Sequence, residues 1–487
     1  MVSMNNLIFV WHRRDLRVRD NRALAEAINT GRTVVPIFVF DPHFWESNSY
    51  CPDRLIFLLE SLQDLAEHYR KLGTELVFWE GKAVRELTKL SKEYGALVYF
   101  NRDTNGEYGM NRDDVAENLG FVGWDNDAIQ RDGRTKDWSD QARAFFEMEI
   151  PELPNTISGH QIRSITTPEA VKTKYQVTSE KDSPEQGGST QAHQRLEEFL
   201  AEIQSYTKSI SKPLAAETGT SRLSAHFSLG TISVREVYQA TQAIEAKQKS
   251  FFTTRLFWNQ HFTQKLQDNP TLDRIAANPV FEQNYDLIYQ PDQEKFQAWC
   301  QGKTGYPLVD ASMRALVSIG FLNFRMRAMC ASFLTYILKQ PWQWGANFMF
   351  YHLIDADRAI NYSQWQMQSG MVGVHPNRIY NPTTNLQKHD PQGEYVCKYV
   401  SELHDASLEF IMSDPESRQD TLFRDTYIKP IVSYVSEMRS AREIYKDLNT
   451  KAFHRVQTDP ELRAHLSLSG AAGRRTRKKQ LPDTKEV

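Results

Sequence analysis

LIFVWHRRDLRVRDNRAL (residues 7–24) opens with five consecutive apolar side chains, passes into a loop crowded with arginine and aspartate, and ends in a run of helix formers. Runs of the same apolar kind recur at 34–40, 75–79, 96–100 and 120–124, with helical patterns such as residues 53–71 between them. Strands that do not alternate apolar with polar suit a sheet covered on both faces, and strand–helix alternation demands parallel pairing. The reading for residues 1–131 is therefore an α/β domain built on a doubly wound parallel sheet. No GxGxxG follows the first strand, so nothing marks a dinucleotide fingerprint, although such a sheet can still hold a small ligand at the carboxyl ends of its strands.

Outward from this domain the pattern changes. Residues 132–193 lose periodicity and include the polar stretch SEKDSPEQGGS (179–189), which reads as an interdomain linker. Residues 194–450 are a succession of helical patterns, among them 195–206, 234–246, 307–318 and 323–338, giving a mostly α-helical second domain. A polar tail is expected over 451–487. It ends in the basic cluster Arg474, Arg475, Arg477, Lys478 and Lys479, which reads either as a solvated tail or as a phosphate contact. At 487 residues the chain exceeds one ordinary domain.

A net charge of −3 excludes a global basic field, so any nucleic-acid surface must be local. Cys51, Cys300, Cys330 and Cys397 lack metal-ligand spacing, so no metal is expected, and they fit a reduced compartment. No apolar run reaches the roughly 18 residues of a membrane span. A soluble, cytoplasmic monomer is the expectation. The 10 tryptophans, many of them in the second half, serve either as core or as stacking and redox-active rings.

The segment Thr220-Ser221-Arg222-Leu223-Ser224 offers hydroxyls at a helix start, which reads as a plain N-cap or as a phosphate cradle. It is followed in order by RLFWNQHF (255–262), GKTGYPLVDASMRAL (302–316), GFLNFRMRAMCASFL (320–334), DADRAINYSQWQMQSG (355–370) and RIYNP (378–382). Together with the opening WHRRDLR, this series resembles the DNA photolyase/cryptochrome family across nearly the whole chain.

The resemblance implies an FAD-binding second domain. In the first domain it implies an antenna site whose pigment, folate or deazaflavin, the sequence leaves undecided. By position, Tyr206 and Thr220, Ser221, Arg222, Leu223 and Ser224 would hold the FAD diphosphate. Asp355 and Asp357 would face the polar edge of the isoalloxazine, with Arg327 paired to Asp355, and Asn361 would lie beside flavin N5. Trp365, Trp342 and Tyr289 would be the proximal, middle and distal members of an electron-transfer chain, with Trp344 or Trp299 as substitutes at its exit. Arg255, Trp258, Phe324, Arg325, Met367 and Arg378 would meet DNA or its lesion.

The substrate side departs from the family. Arg255 stands where cyclobutane-dimer photolyases usually place glutamate, Asn323-Phe324 replaces their His-Asn pair, and Met367 replaces a tryptophan. An arginine stays charged and only donates. These departures resemble a divergent bacterial branch. The implied function is blue-light repair of cyclobutane pyrimidine dimers in DNA. A cryptochrome-like photoreceptor acting through a signalling partner, or repair of another lesion, stands as the alternative.

Overall fold

The computed structural model describes residues 6–46, 49–104, 106–182, 185–374, 377–417 and 427–466. The basic cluster at 474–479 lies outside them.

Strands β1 (Leu7–His12), β2 (Thr33–Phe40), β3 (Val77–Glu80), β4 (Leu97–Asn101) and β5 (Val122–Trp124) form one parallel sheet in the order β3-β2-β1-β4-β5. The two-residue period splits each strand between two cores. Ile8, Val10, Phe38 and Phe40 pack with Leu62, Leu65 and Tyr69 of helix α1 (Pro52–Lys71) on one face. Phe9, Trp11, Ile37 and Val39 pack with Leu87 and Leu90 on the other. Burial on both faces explains the unbroken apolar runs. Pro36 is tolerated in β2 because the pairing with β3 begins only at Ile37.

The second domain is helical. The elements that matter for the site are α2 (Ser224–Leu229), α3 (Lys249–Asp268), α4 (Phe324–Ser332), α5 (Trp342–His352), α6 (Arg358–Gln368) and α7 (Tyr434–Thr458). Asn323 caps α4 through Met326 N–H at 3.2 Å, and Asp357 caps α6 through Ile360 N–H at 3.1 Å.

Three segments differ from their sequence reading. The expected linker contains helices at Trp138–Glu147 and Pro168–Lys174, too short for periodicity to reveal. Its polar stretch is pinned: Glu185 bridges Arg195 and Arg222, Gly187 N–H donates to Glu60, and Ser189 N–H donates to Asp64. Paired in this way, charged residues can lie against the protein rather than trail in water. Where the polar tail was expected to begin, α7 continues in helix and buries Ala452 and Val456. A further helix, Pro460–Leu466, buries Leu466 beside Leu266 and Val372.

The arginine-rich loop after β1 fastens the domains together. Leu16 N–H donates to Leu229 O at 3.1 Å, Arg14 Nε to Ser228 O at 2.8 Å and Arg17 Nη1 to Gly230 O at 2.8 Å. Arg14 also pairs with Asp357, and the buried Arg235 with Asp20. Gly230 sits at φ 67°, and a Cβ there would lie 2.1 Å from Arg14 O, so both conformation and contact require glycine. No described helix is long and apolar enough to cross a membrane.

Candidate functional site

α3, α4, α6 and the 220–224 segment enclose a cavity of about 310 Å³. Of the residues singled out by sequence, it collects Tyr206, Thr220, Ser221, Arg222, Ser224, Arg255, Trp258, Phe324, Arg327, Asp355, Asn361 and Trp365. These come from five separate stretches of chain.

The 220–224 segment turns sharply at Arg222, which takes φ 55°, a left-handed conformation that costs a non-glycine residue of order 1 kcal/mol. Its guanidinium is held by Glu185 at 2.7 Å and lies 3.8 Å over the Phe321 ring. The turn leaves the Thr220, Ser221 and Ser224 hydroxyls on the cavity wall. Leu223 points the other way, fully buried with Tyr206 and Phe252, so it supports the cradle without lining it. Burial pushes the Tyr206 phenol upward, and the neighbouring Arg255 guanidinium opposes that rise.

Beside Ser224, Arg327 Nη2 reaches both oxygens of Asp355 at 3.0 and 2.8 Å, and Ser224 Oγ donates to Asp355 at 2.7 Å. Burial alone would raise this carboxyl. The Arg327 charge and these hydrogen bonds outweigh it and hold Asp355 below the ordinary carboxylate range. Asn361 Nδ2 donates to Ala346 O at 3.1 Å, which fixes the carboxamide and leaves its carbonyl oxygen free as an acceptor.

Asp357 lies outside the main cavity. It borders a side pocket with Asp355 and Asn361, and its oxygens are engaged in capping α6 and pairing with Arg14. Met367 also faces away, packed among Leu266, Val372 and Leu462. The helical period explains this: Asn361, Gln364, Trp365 and Gln368 share the cavity face of α6, and position 367 falls outside it. Gln364 and Gln368 are thus site residues that sequence reasoning missed, and the same period was the signal that could have found them. Phe324 is 48% exposed at the cavity mouth. Arg325 and Arg378 stand outside the cavity, Arg325 within 6.0 Å of the Tyr380 ring and Arg378 on the exposed surface.

Trp365, 3% exposed, contacts the ring of Trp299 at 6.2 Å between centroids. From there, Phe296 at 6.1 Å and the half-buried Trp344 at a further 5.2 Å lead outward. Trp342 is fully buried and meets Tyr362 edge-on at 6.5 Å, while Tyr289 is buried with its hydroxyl 3.5 Å from Met371 Sδ. A smaller cavity of about 90 Å³ lies in the first domain beyond β1 and β2, among Phe38, Trp45, Tyr50 and Arg54.

Residues 252–447 match the family model described as the FAD binding domain of DNA photolyase, and residues 8–124 match that of DNA photolyase. A deoxyribodipyrimidine photo-lyase of Synechococcus sp. is 29% identical over 93% of this chain and 99% of its own length. A cryptochrome DASH of Gloeobacter violaceus is 28% identical over 81% and 86%. The crystal structure of a bacterial class III photolyase from Agrobacterium tumefaciens superimposes with a TM-score of 0.79 at 26% identity, over 92% of this chain and 99% of that one.

The donor set fits FAD. Hydroxyls and a cation at one wall suit a diphosphate. Apolar Leu322, Ala328, Ala331 and Met349 suit a ring system, and the Asn361 amide with the Asp355–Arg327 pair suits the polar edge of that ring.

Proposed function

The chain belongs to the photolyase/cryptochrome superfamily and carries its FAD-binding domain, and from that premise we propose that it is a DNA photolyase that splits cyclobutane pyrimidine dimers under blue light. When bound, reduced FAD supplies, on absorbing light, the single electron that opening the cyclobutane ring requires. The side chains do the rest. Tyr206, Thr220 and Ser221 hold the cofactor's phosphate end, and Asn361 and the Asp355–Arg327 pair, to which Ser224 donates, hold its polar ring edge.

The observation that carries the repair reading is the open mouth of the cavity. Exposed Phe324 and half-buried Trp258, stacked on Phe262 at 5.5 Å, offer aromatic surface to an extruded base. Arg255 is also exposed on the cavity wall, and among the described residues no carboxylate pairs with it to close the opening. A photoreceptor needs no such access. Arg325 and Arg378 would contact the DNA backbone outside the cavity. Flipping a dimer costs a few kcal/mol, less for a damaged step, which stacking of this kind can offset.

The test is blue-light turnover of oligonucleotides carrying one cyclobutane dimer or one (6-4) product, with the flavin fully reduced. Restoration of the dimer alone is the expected result. Repair of only the (6-4) product would reassign the lesion, and repair of neither, with FAD bound and reducible, would point to signalling.

A further inference from the structure

The charge census of the cavity singles out Arg255. Four charged side chains line it: Arg222, Arg255, Arg327 and Asp355. Arg327 is paired with Asp355, and Arg222 is held by Glu185, which it shares with Arg195. Arg255 has no carboxylate partner among the described residues, although it stands on the wall of the cavity. It projects from α3 at the same end as Tyr206, whose phenol responds to its charge. That end also carries the Thr220 and Ser221 hydroxyls. Hydroxyls can hydrogen-bond a diphosphate but cannot neutralise it, and a dianion taken out of water without a counter-charge is strongly disfavoured.

We propose that Arg255 is the counter-charge for the FAD diphosphate, a cofactor-holding residue rather than a lesion contact. The planar guanidinium can donate two parallel hydrogen bonds to phosphate oxygens, which an ammonium cannot reproduce. This assignment rests on the FAD reading of the cavity and not on which lesion, if any, is repaired.

The test measures FAD release from purified holoprotein, followed as recovery of free-flavin fluorescence on dilution at several salt concentrations. R255Q should weaken FAD binding about 10- to 100-fold, the size of one charge-assisted contact, and flatten its salt dependence. R255K should recover part of the loss. Because the contact is with phosphate, R255Q should leave binding of riboflavin unchanged. Unaltered FAD retention in R255Q would overturn the proposal. So would an equal loss for riboflavin, or a loss confined to binding of dimer-containing oligonucleotide, which would return Arg255 to the lesion.

Discussion

Asn361 and Asp355 show how much one side chain's surroundings decide. Asn361 is fixed through Nδ2 to Ala346 O, so replacing it with aspartate swaps a neutral acceptor for a charge in a buried place. Asn361→Asp should change which flavin redox form accumulates under illumination, read from the absorption spectrum; an identical spectrum would remove it from the flavin's vicinity. For Asp355 the sign of the pH effect can be worked out. Its lowered pKa in the folded protein means that the Arg327 contact stabilises fully above the ordinary aspartate pKa of about 3.9 and is lost as pH falls through the folded value. In Arg327→Gln burial is opposed only by the Ser224 hydrogen bond and the Arg222 charge, so that pKa rises. The variant should be about 3 kcal/mol less stable at neutral pH, with the deficit shrinking on acidification, as urea melts across pH would show. The cradle and the Arg327–Asp355 pair were legible because their residues sit in recognisable blocks. The Asp357 cap and its Arg14 contact were not legible, because they are set by where α6 begins and by a loop 343 residues away.

At the scale of elements, the neighbouring helices α5 and α6 carry Trp344 and Trp365 of the proposed electron path. α5 lies close to α6 only because position 345 is glycine: a Cβ there would fall 2.2 Å from the Trp365 ring and 2.4 Å from Leu334. Gly345→Ala should therefore cost about 1–3 kcal/mol through overpacking and displace Trp365, seen as a lower melting temperature together with slower photoreduction. The ring contacts favour an exit through Trp299 and Trp344 over one through Trp342 and Tyr289, whose hydroxyl is buried against a thioether and burial pushes well above its ordinary pKa. Trp299→Phe should slow photoreduction with FAD retained, and Tyr289→Phe should leave it nearly unchanged; the reverse ranking would restore the path expected from sequence. The helices and their order are legible in sequence, yet the face of α6 that meets the cavity depends on where the helix starts, which is why Gln364 and Gln368, and not Met367, line it.

For the whole molecule, the sheet and the helical domain were both readable from periodicity, but their junction was not. WHRRDLR reads as a motif in sequence and as a fastening in structure, since its partners Ser228, Leu229, Gly230 and Asp357 lie in the other domain. The Asp20–Arg235 pair beside it is buried on both sides. Asp20→Asn keeps the left-handed backbone that Asp20 adopts at φ 51° and leaves Arg235 without its counter-charge. A loss of about 3 kcal/mol is expected, with faster proteolytic cleavage within 132–193, and an unchanged digestion pattern would argue against the pair as a domain clamp.

The Arg14–Asp357 pair also imposes an order in time. Its two halves leave the ribosome 343 residues apart, which at about 5–20 residues per second is roughly 17–70 s. Through that interval Arg14 has only Asp103 of its own domain as a partner, so the sheet domain can be complete well before the fastening to the helical domain closes.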